Sequence, residues 1–193
     1  MENVGVLQPH VERMMLVCGA QNDGKTWLLQ NMLSDRRLAG IVRRRNTTPI
    51  SLSKERGLVV RSASPHERGL STTSFHDEIR RALQDGKKHG CRRMNFAYAV
   101  QPRPTKRREG KLDKIQGIVS VCSDLIKAFA PERIRVVQLS PNQFGSSGNC
   151  LTVFEVDGLR NLDVEVIAID ARRGGNPIEA GNVRVLADYF DFS

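Results

Sequence analysis

The chain is poor in aromatic residues and lacks the long apolar runs of a membrane protein. Aromatic residues make up 5% of its 193 residues, which argues against nucleic-acid binding by base stacking on exposed rings. No hydrophobic run is long enough to cross a membrane, and the N-terminus does not have the basic and then apolar pattern of a signal peptide. These features predict a cytoplasmic protein that does not act at a membrane.

Cysteine and histidine occur without the spacing of a metal site. The four cysteines, Cys18, Cys91, Cys122 and Cys150, are scattered and form no Cys-x-x-Cys pair, and the four histidines are equally dispersed. This spacing argues against a structural zinc site and against a disulfide scaffold. Reduced cysteines in a cytoplasmic protein are therefore expected.

Positive charge, by contrast, is abundant and unevenly distributed. The formal net charge is +9, and residues 36–114 contain 21 Lys/Arg against seven Asp/Glu, whereas the remaining residues contain nine against 14. Such asymmetry is typical of a surface that faces a polyanion, although a solvated basic face and loop would have the same composition.

The most informative stretch is Gly19–Thr26, which has the pattern Gly, four residues, Gly-Lys-Thr. The apolar run Met14–Cys18 precedes it and predicts a buried parallel strand, and the apolar spacing from Trp27 onward predicts a helix. A strand that leads into a glycine-containing loop and then a helix can present backbone N–H groups and a helix N-terminus to phosphate groups.

This stretch resembles the Walker A loop of the P-loop NTPase superfamily, over about 20 residues. The resemblance implies binding of ATP or GTP with Mg²⁺. It implies that Lys25 contacts the β- and γ-phosphates and acts in catalysis, and that the Thr26 hydroxyl binds the metal. The expected nucleotide-binding residues are Gly19, Ala20, Gln21, Asn22, Asp23, Gly24, Lys25, Thr26 and Trp27.

The superfamily pattern also includes an apolar strand that ends in an acidic residue. The best match is Val164–Asp170, so Asp170 is the candidate for completing the Mg²⁺ ligands and for a catalytic role; Asp157 is the second candidate. The strand expected at Met94–Val100 departs from the pattern, because it ends in Gln101. Glu155 and Glu165 are further possible catalytic carboxylates, although both also suit ordinary strand positions that face solvent.

Alternating strand and helix patterns predict one α/β domain, a three-layer α/β/α fold with a mainly parallel sheet. The βα core spans residues 14–140, and residues 150–193 are expected to add antiparallel strands at one edge, beginning with Leu151–Val156 and Val164–Ile169. The tail Val183–Phe192 fits a strand or a helix equally well. Other expected strands are Leu38–Val42, Leu58–Val60, Met94–Val100 and Ile134–Leu139; expected helices begin near Trp27, near Ser71 and at Asp113.

Three functions remain open at this point. The charge distribution favours an ATPase that acts on or with DNA or RNA through a basic surface. The second function is that of a nucleotide or small-molecule kinase, in which the arginine-rich segment Gln101–Lys111 would be a lid over the transferred phosphate. In the third, a nucleotide-dependent switch, the loops would engage a protein partner or a second copy of the chain. The candidate nucleic-acid contacts are Arg43, Arg44, Arg45, Arg80, Arg81, Arg92, Arg93, Lys106, Arg107 and Arg108.

Overall fold

In the part of the chain that the structure describes, a sheet of six strands has helices on both faces, and this layered arrangement is the one that the sequence predicts. The computed structural model describes residues 8–37, 49–104, 115–146, 148, 150–172 and 177–192. The sheet order is β2-β3-β4-β1-β5-β6. The strands are β1 (His10–Cys18), β2 (Ile50–Ser51), β3 (Arg56–Arg61), β4 (Arg93–Val100), β5 (Arg133–Leu139) and β6 (Glu165–Ile169).

Strand β1 lies in the middle of the sheet and carries the phosphate-loop sequence at its carboxyl end. It pairs in parallel with β4 on one side and with β5 on the other, so that Cys18 lies beside Val100 and Gln138. Every residue from Met14 to Cys18 is buried. A strand covered on both faces needs apolar residues at consecutive positions, which is why this run does not alternate with polar residues.

The helices of the described ranges form the outer layers: α1 (Lys25–Met32), α2 (Thr72–Lys88), α3 (Ile118–Phe129), α4 (Val153–Arg160) and α5 (Pro177–Asp188). Apolar residues of α1 and α5 pack with Met15 and Val17 on one face of the sheet. Residues of α2, α3 and α4 pack with Met14 and Leu16 on the other face. The three-layer α/β/α prediction is therefore confirmed. Within the described ranges, no helix is both apolar enough and long enough to cross a membrane.

The prediction of an antiparallel C-terminal extension over 150–193 is wrong. Of the expected strand Leu151–Val156, the residues from Val153 onward instead lie in helix α4, and β6 pairs with β5 in parallel. Thr152 explains the difference, since its side chain accepts a hydrogen bond from the Glu155 N–H while the Glu155 carboxylate accepts one from the Thr152 N–H. This capping box starts a helix in spite of the β-branched residues that follow. The antiparallel pair is β2 with β3, at the opposite edge.

Several element boundaries also differ from the expected ones. The helix expected from Asp113 begins at Ile118, and the undecided tail is mostly helical, as α5. Helix α2 begins where expected, with Ser71 as its cap accepting a hydrogen bond from the Ser74 N–H. The expected strand Leu38–Val42 lies outside the described residues, as do Arg43, Arg44, Arg45, Lys106, Arg107 and Arg108.

Candidate functional site

The loop from Gly19 to Thr26 connects the carboxyl end of β1 directly to α1. Gly24 has φ of 103°, in the left-handed region that favours glycine, and it is the residue that precedes the first turn of α1. A Cβ on Gly19 would lie 3.0 Å from the Asp23 Cβ, so a side chain there would require Asp23 to shift by a few tenths of an ångström. Backbone geometry thus favours glycine at position 24, and close packing against Asp23 favours a very small residue at position 19.

Lys25 is the first residue of α1, and its side chain is buried, with 4% of the residue exposed. Its ammonium group donates hydrogen bonds to the carbonyl oxygens of Gly19, at 2.9 Å, and Ala20. Burial lowers the pKa of Lys25, and the negative charges of Glu67 and Asp23 only partly oppose that shift. The amine therefore lies inside the loop, with neutral oxygens as its direct partners among the described residues.

The N-terminus of α1 is open to an anion. Gly24 provides no side chain to cap the helix, and the first turn contains no acidic residue. The partial positive charge of a helix N-terminus is usually balanced by an acidic or hydroxyl cap. Here the only charge in the first turn is that of Lys25, and positive charge there adds to the helix dipole. A bound phosphate would balance the charge of Lys25 and the partial positive charge of the helix N-terminus.

Asp23 and two residues that follow β5 hold the loop in its present shape. The Asp23 carboxylate accepts hydrogen bonds from the Ala20 N–H at 2.6 Å and from the Asn142 amide at 3.1 Å. The Gln143 side chain donates to the Asn22 carbonyl oxygen, and the Gln143 N–H donates to the Asp23 carbonyl oxygen at 3.3 Å. The negative charge of Asp23 is thus directed at the backbone of the loop and stabilises its turn.

A second loop, which follows β3, approaches from the other side. The Thr26 hydroxyl donates to the Ser62 carbonyl oxygen at 2.9 Å. Five residues further on, the Glu67 carboxylate accepts a hydrogen bond from the Ser64 N–H at 3.1 Å and lines the same pocket as Lys25 and Thr26. Glu67 is an acidic residue of the site that the sequence-based candidates do not include.

These elements enclose a polar pocket of about 160 Å³. The order of its walls follows the sheet, with the phosphate loop at the centre, the β3 loop on one side and the β5 loop on the other. It is lined by Asn22, Asp23, Gly24, Lys25, Thr26, Trp27, Glu67 and Gln143. The structure thus brings six of the nine candidate nucleotide-binding residues to one pocket.

Glu67 and Gln143 come from loops more than 35 residues away in sequence, and both follow parallel strands. The carboxyl ends of parallel strands meet at one edge of a sheet, where ligands of open α/β folds bind. Local patterns in the sequence can therefore mark the polar residues after β3 and β5 as general candidates for a binding site. Which of these residues lie beside Gly19–Thr26 depends on the strand order, which local patterns do not reveal.

Asp170 is not among the residues that line this pocket. It follows β6, which is separated from β1 by β5. Its carboxylate accepts hydrogen bonds from the Arg172 backbone N–H and side chain, both at 3.0 Å, and these bonds lower the pKa of Asp170. In this arrangement Asp170 stabilises the turn after β6.

The other acidic candidates have structural partners. Asp157 lies within α4 and not at the end of a strand, so the pattern that made it a candidate is absent. Glu155 caps α4 and forms an ion pair with Arg103, and Glu165 forms one with Arg135 at 2.8 Å. Among the described residues, no group of three or more His, Cys, Asp or Glu side chains could hold a metal ion without further ligands.

Two of the described basic candidates, Arg92 and Arg93, lie away from the phosphate loop. Arg93 is paired with His10 in the sheet register, at the amino end of β1, which is roughly 25 Å from Cys18 at 3.3 Å per residue. Arg92 forms an ion pair with Glu55 at 3.4 Å, and Arg80 with Asp77 at 2.8 Å. Arg81 donates to the Asp77 carbonyl oxygen.

No protein-family model matches this chain, and a comparison with curated proteins finds no significant relative.

Proposed function

We propose that the chain binds a nucleoside triphosphate with Mg²⁺ at Gly19–Thr26 and promotes reaction at its γ-phosphate, as an ATPase. The observation that carries the proposal is the buried Lys25 ammonium at an uncapped helix N-terminus. Burying a cation beside neutral carbonyl oxygens costs free energy, which a polyphosphate would offset. A structural lysine would instead be expected to have a carboxylate partner.

The residues present fit a magnesium nucleotide. Backbone N–H groups at the start of α1 would hold phosphate oxygens, Lys25 would turn from the carbonyl oxygens of Gly19 and Ala20 toward them, and Thr26 would release Ser62 and hold the metal. Bound Mg²⁺ would neutralise charge on the β- and γ-phosphates. We propose Glu67, in place of Asp170, as the carboxylate that would help to hold the metal and would orient the attacking water, because Glu67 lines the pocket.

Trp27 offers a direct test, since it is the one tryptophan of the chain and lines the pocket. Titration with ATP–Mg²⁺ is expected to change its fluorescence in a saturable way, and adenosine is expected to produce no such change at equal concentration. GTP in parallel identifies the preferred base. Equal responses to ATP and adenosine would show that the phosphates are not recognised and would refute the proposal.

The excess positive charge supports a nucleic-acid partner as the first candidate for what the nucleotide acts on. The ion pairs of Arg80 and Arg92 do not exclude this role, because exposed pairs contribute about 0–1 kcal/mol and phosphates can displace them. Salt-dependent binding of unrelated DNA or RNA sequences, weakened in an Arg92→Ser, Arg93→Ser double variant, would support it. Binding that is independent of salt would contradict it.

A kinase is the second candidate, and the placement of charge favours it. The described arginines 92 and 93 lie at the amino end of the sheet, whereas Arg103, in the described start of the segment predicted to be a lid, follows the carboxyl end of β4, the end at which β1 enters the phosphate loop. Transfer of labelled phosphate from ATP to a nucleotide or small molecule, lost in a Lys106→Ser, Arg107→Ser, Arg108→Ser variant, would establish this function. The Arg92/Arg93 variant is its matched control.

A further inference from the structure

Two of the four cysteines lie together directly behind the phosphate loop. Cys18 is the last residue of β1 and is fully buried, and Cys150 is half-buried in the segment between β5 and α4. The Cys150 thiol lies 3.5 Å from the Cys18 carbonyl oxygen, to which it donates a hydrogen bond. The two residues are 132 positions apart in sequence, so only the fold brings them together.

The environments of the two thiols differ in a way that suits stepwise oxidation. A hydrogen bond from the Cys18 side chain lowers the pKa of Cys150, and the same interaction together with burial raises the pKa of Cys18. The thiolate is the form that reacts with oxidants, so the more exposed Cys150 is the more reactive member. Cys18 is then the buried thiol that resolves the first product.

The other two cysteines are matched internal controls. Cys122 lies in α3, and burial raises its pKa to about 12. Cys91 precedes β4 at the opposite end of the sheet, and burial raises its pKa as well. Neither has the lowered pKa of Cys150.

We propose that Cys18 and Cys150 are a site of reversible oxidation by hydroperoxides, at which the two thiols close into an intramolecular disulfide. The Cys150 thiolate attacks a peroxide oxygen, the O–O bond breaks, and water leaves after proton uptake, which yields a sulfenic acid. The Cys18 sulfur then attacks the Cys150 sulfur, the S–O bond breaks, and a second water leaves with the Cys18 proton. One hydrogen peroxide is reduced to two waters, and two thiols are oxidised to one disulfide.

The disulfide would tie the residue before Gly19 to the segment that contains Asn142 and Gln143, which hydrogen-bond to the phosphate loop. The proposal does not depend on nucleotide binding, because its test is covalent. It stands or fails separately from the function proposed above.

The test is to treat the full-length protein with hydrogen peroxide, block the remaining thiols by alkylation, and digest with trypsin without reduction. Cys18 and Cys150 fall in the tryptic peptides 14–25 and 136–160. Mass spectrometry is expected to find these two peptides joined, with the loss of two hydrogens, and separated again by dithiothreitol. Two thiols of the four should stay open to alkylation after denaturation.

Two variants and a denatured sample complete the experiment. Cys91→Ser should keep the joined peptides, whereas Cys150→Ser should lose them, and both substitutions avoid the fully buried Cys18. Peroxide treatment in guanidinium chloride should give mixed pairings, since the fold no longer selects one pair. Sulfinic or sulfonic acid at Cys150 without joined peptides, joined peptides that include Cys91 or Cys122 in the folded protein, or an unoxidised Cys150 would each overturn the proposal.

Discussion

Glu12 and Lys25 are two equally buried charges near opposite ends of the central strand, and their surroundings differ sharply. Each residue is 4% exposed. Glu12, near the amino end of β1, accepts hydrogen bonds from the Arg56 guanidinium at 2.9 Å and the Asn95 amide at 3.0 Å. Lys25, beyond the carboxyl end, donates to backbone carbonyl oxygens.

The pKa shifts of Glu12 and Lys25 indicate whether these surroundings stabilise or destabilise each charge. Burial acts to raise the pKa of Glu12, but the hydrogen bonds from Arg56 and Asn95 outweigh it and the pKa is lowered, so the charged form is stabilised. Burial lowers the pKa of Lys25, so its charged form is destabilised. A buried charge whose partners outweigh the cost of burial contributes to the stability of the fold. A buried charge in a polar pocket whose partners do not outweigh that cost is a candidate for binding an ion of opposite sign.

Replacing Lys25 should have the largest effect on binding. Lys25→Ala is expected to weaken ATP–Mg²⁺ binding by roughly 100-fold, or about 2.7 kcal/mol, because charge-assisted hydrogen bonds to the phosphates are lost. The fold should persist, since the substitution also removes an unfavourable buried charge. Calorimetric titration measures the affinity, and circular dichroism checks the fold. A Lys25→Ala protein that binds ATP–Mg²⁺ as tightly as wild type would refute nucleotide binding at this loop.

Replacing Glu12 should lower the stability of the fold and leave ATP–Mg²⁺ binding nearly unchanged. Glu12→Gln is expected to lower the free energy of unfolding by about 2 kcal/mol, because Arg56 loses its charged partner in a largely buried position. Affinity for ATP–Mg²⁺ should stay within about twofold, since the site is a strand length away. Urea unfolding monitored by circular dichroism measures the stability. Equal stability of variant and wild type would show that Glu12 is not a structural charge.

The sequence predicts the surroundings of Lys25 far better than those of Glu12. The apolar run Met14–Cys18, the two glycines and the Gly-Lys-Thr triplet are neighbours along the chain, so a local pattern is sufficient to place them on a strand, a loop and a helix. Glu12 has no such pattern, because its partners Arg56 and Asn95 come from β3 and β4. Pairing across a sheet depends on strand order and register, which single-sequence patterns do not contain.

The wrong and the missed predictions have separate physical causes. Leu151–Val156 has β-branched residues typical of a strand, but the hydrogen bonds between Thr152 and Glu155 start a helix, and the Thr-x-x-Glu spacing was visible in the sequence. The role of Asp170 as a metal ligand stays a prediction; in the sheet, β5 lies between its strand β6 and β1. Glu67 was missed because it reaches Lys25 only through the folding of the β3 loop onto the phosphate loop.

Replacing Glu67 with glutamine changes the charge that Lys25 meets in the pocket. Without Mg²⁺, ATP affinity should rise by a few-fold, because a negative charge near the phosphates is removed. The factor by which Mg²⁺ increases that affinity, and the rate of ATP hydrolysis, should each fall by about 10-fold if Glu67 helps to hold the metal and orients the attacking water. Trp27 fluorescence and phosphate release measure the two quantities.

The control for that experiment is Glu132→Gln, which removes an exposed carboxylate paired with His10 at the amino end of the sheet. It should leave both the Mg²⁺ dependence and the hydrolysis rate at wild-type values. If Glu67→Gln behaves in the same way as Glu132→Gln, the carboxylate in the pocket has no part in metal binding or hydrolysis.

The pH dependence of stability isolates the cost of the Lys25 charge without any ligand. The lowered pKa means that the folded protein binds fewer protons than the unfolded chain at pH values between the folded pKa and the ordinary value of 10.5. Wild-type stability should therefore rise with pH across that window relative to Lys25→Met, in which the titrating group is missing. Below the window the cost of the charge is present in full, so the stability advantage of Lys25→Met over wild type should be largest near neutral pH and shrink toward pH 10.5.

Urea unfolding of both proteins at matched pH values from 7 upward gives the difference in their free energies of unfolding, in which the contributions of groups common to both proteins cancel. A constant difference across this range would mean that Lys25 titrates alike in the folded and unfolded states, and the phosphate loop would then hold its lysine at no electrostatic cost.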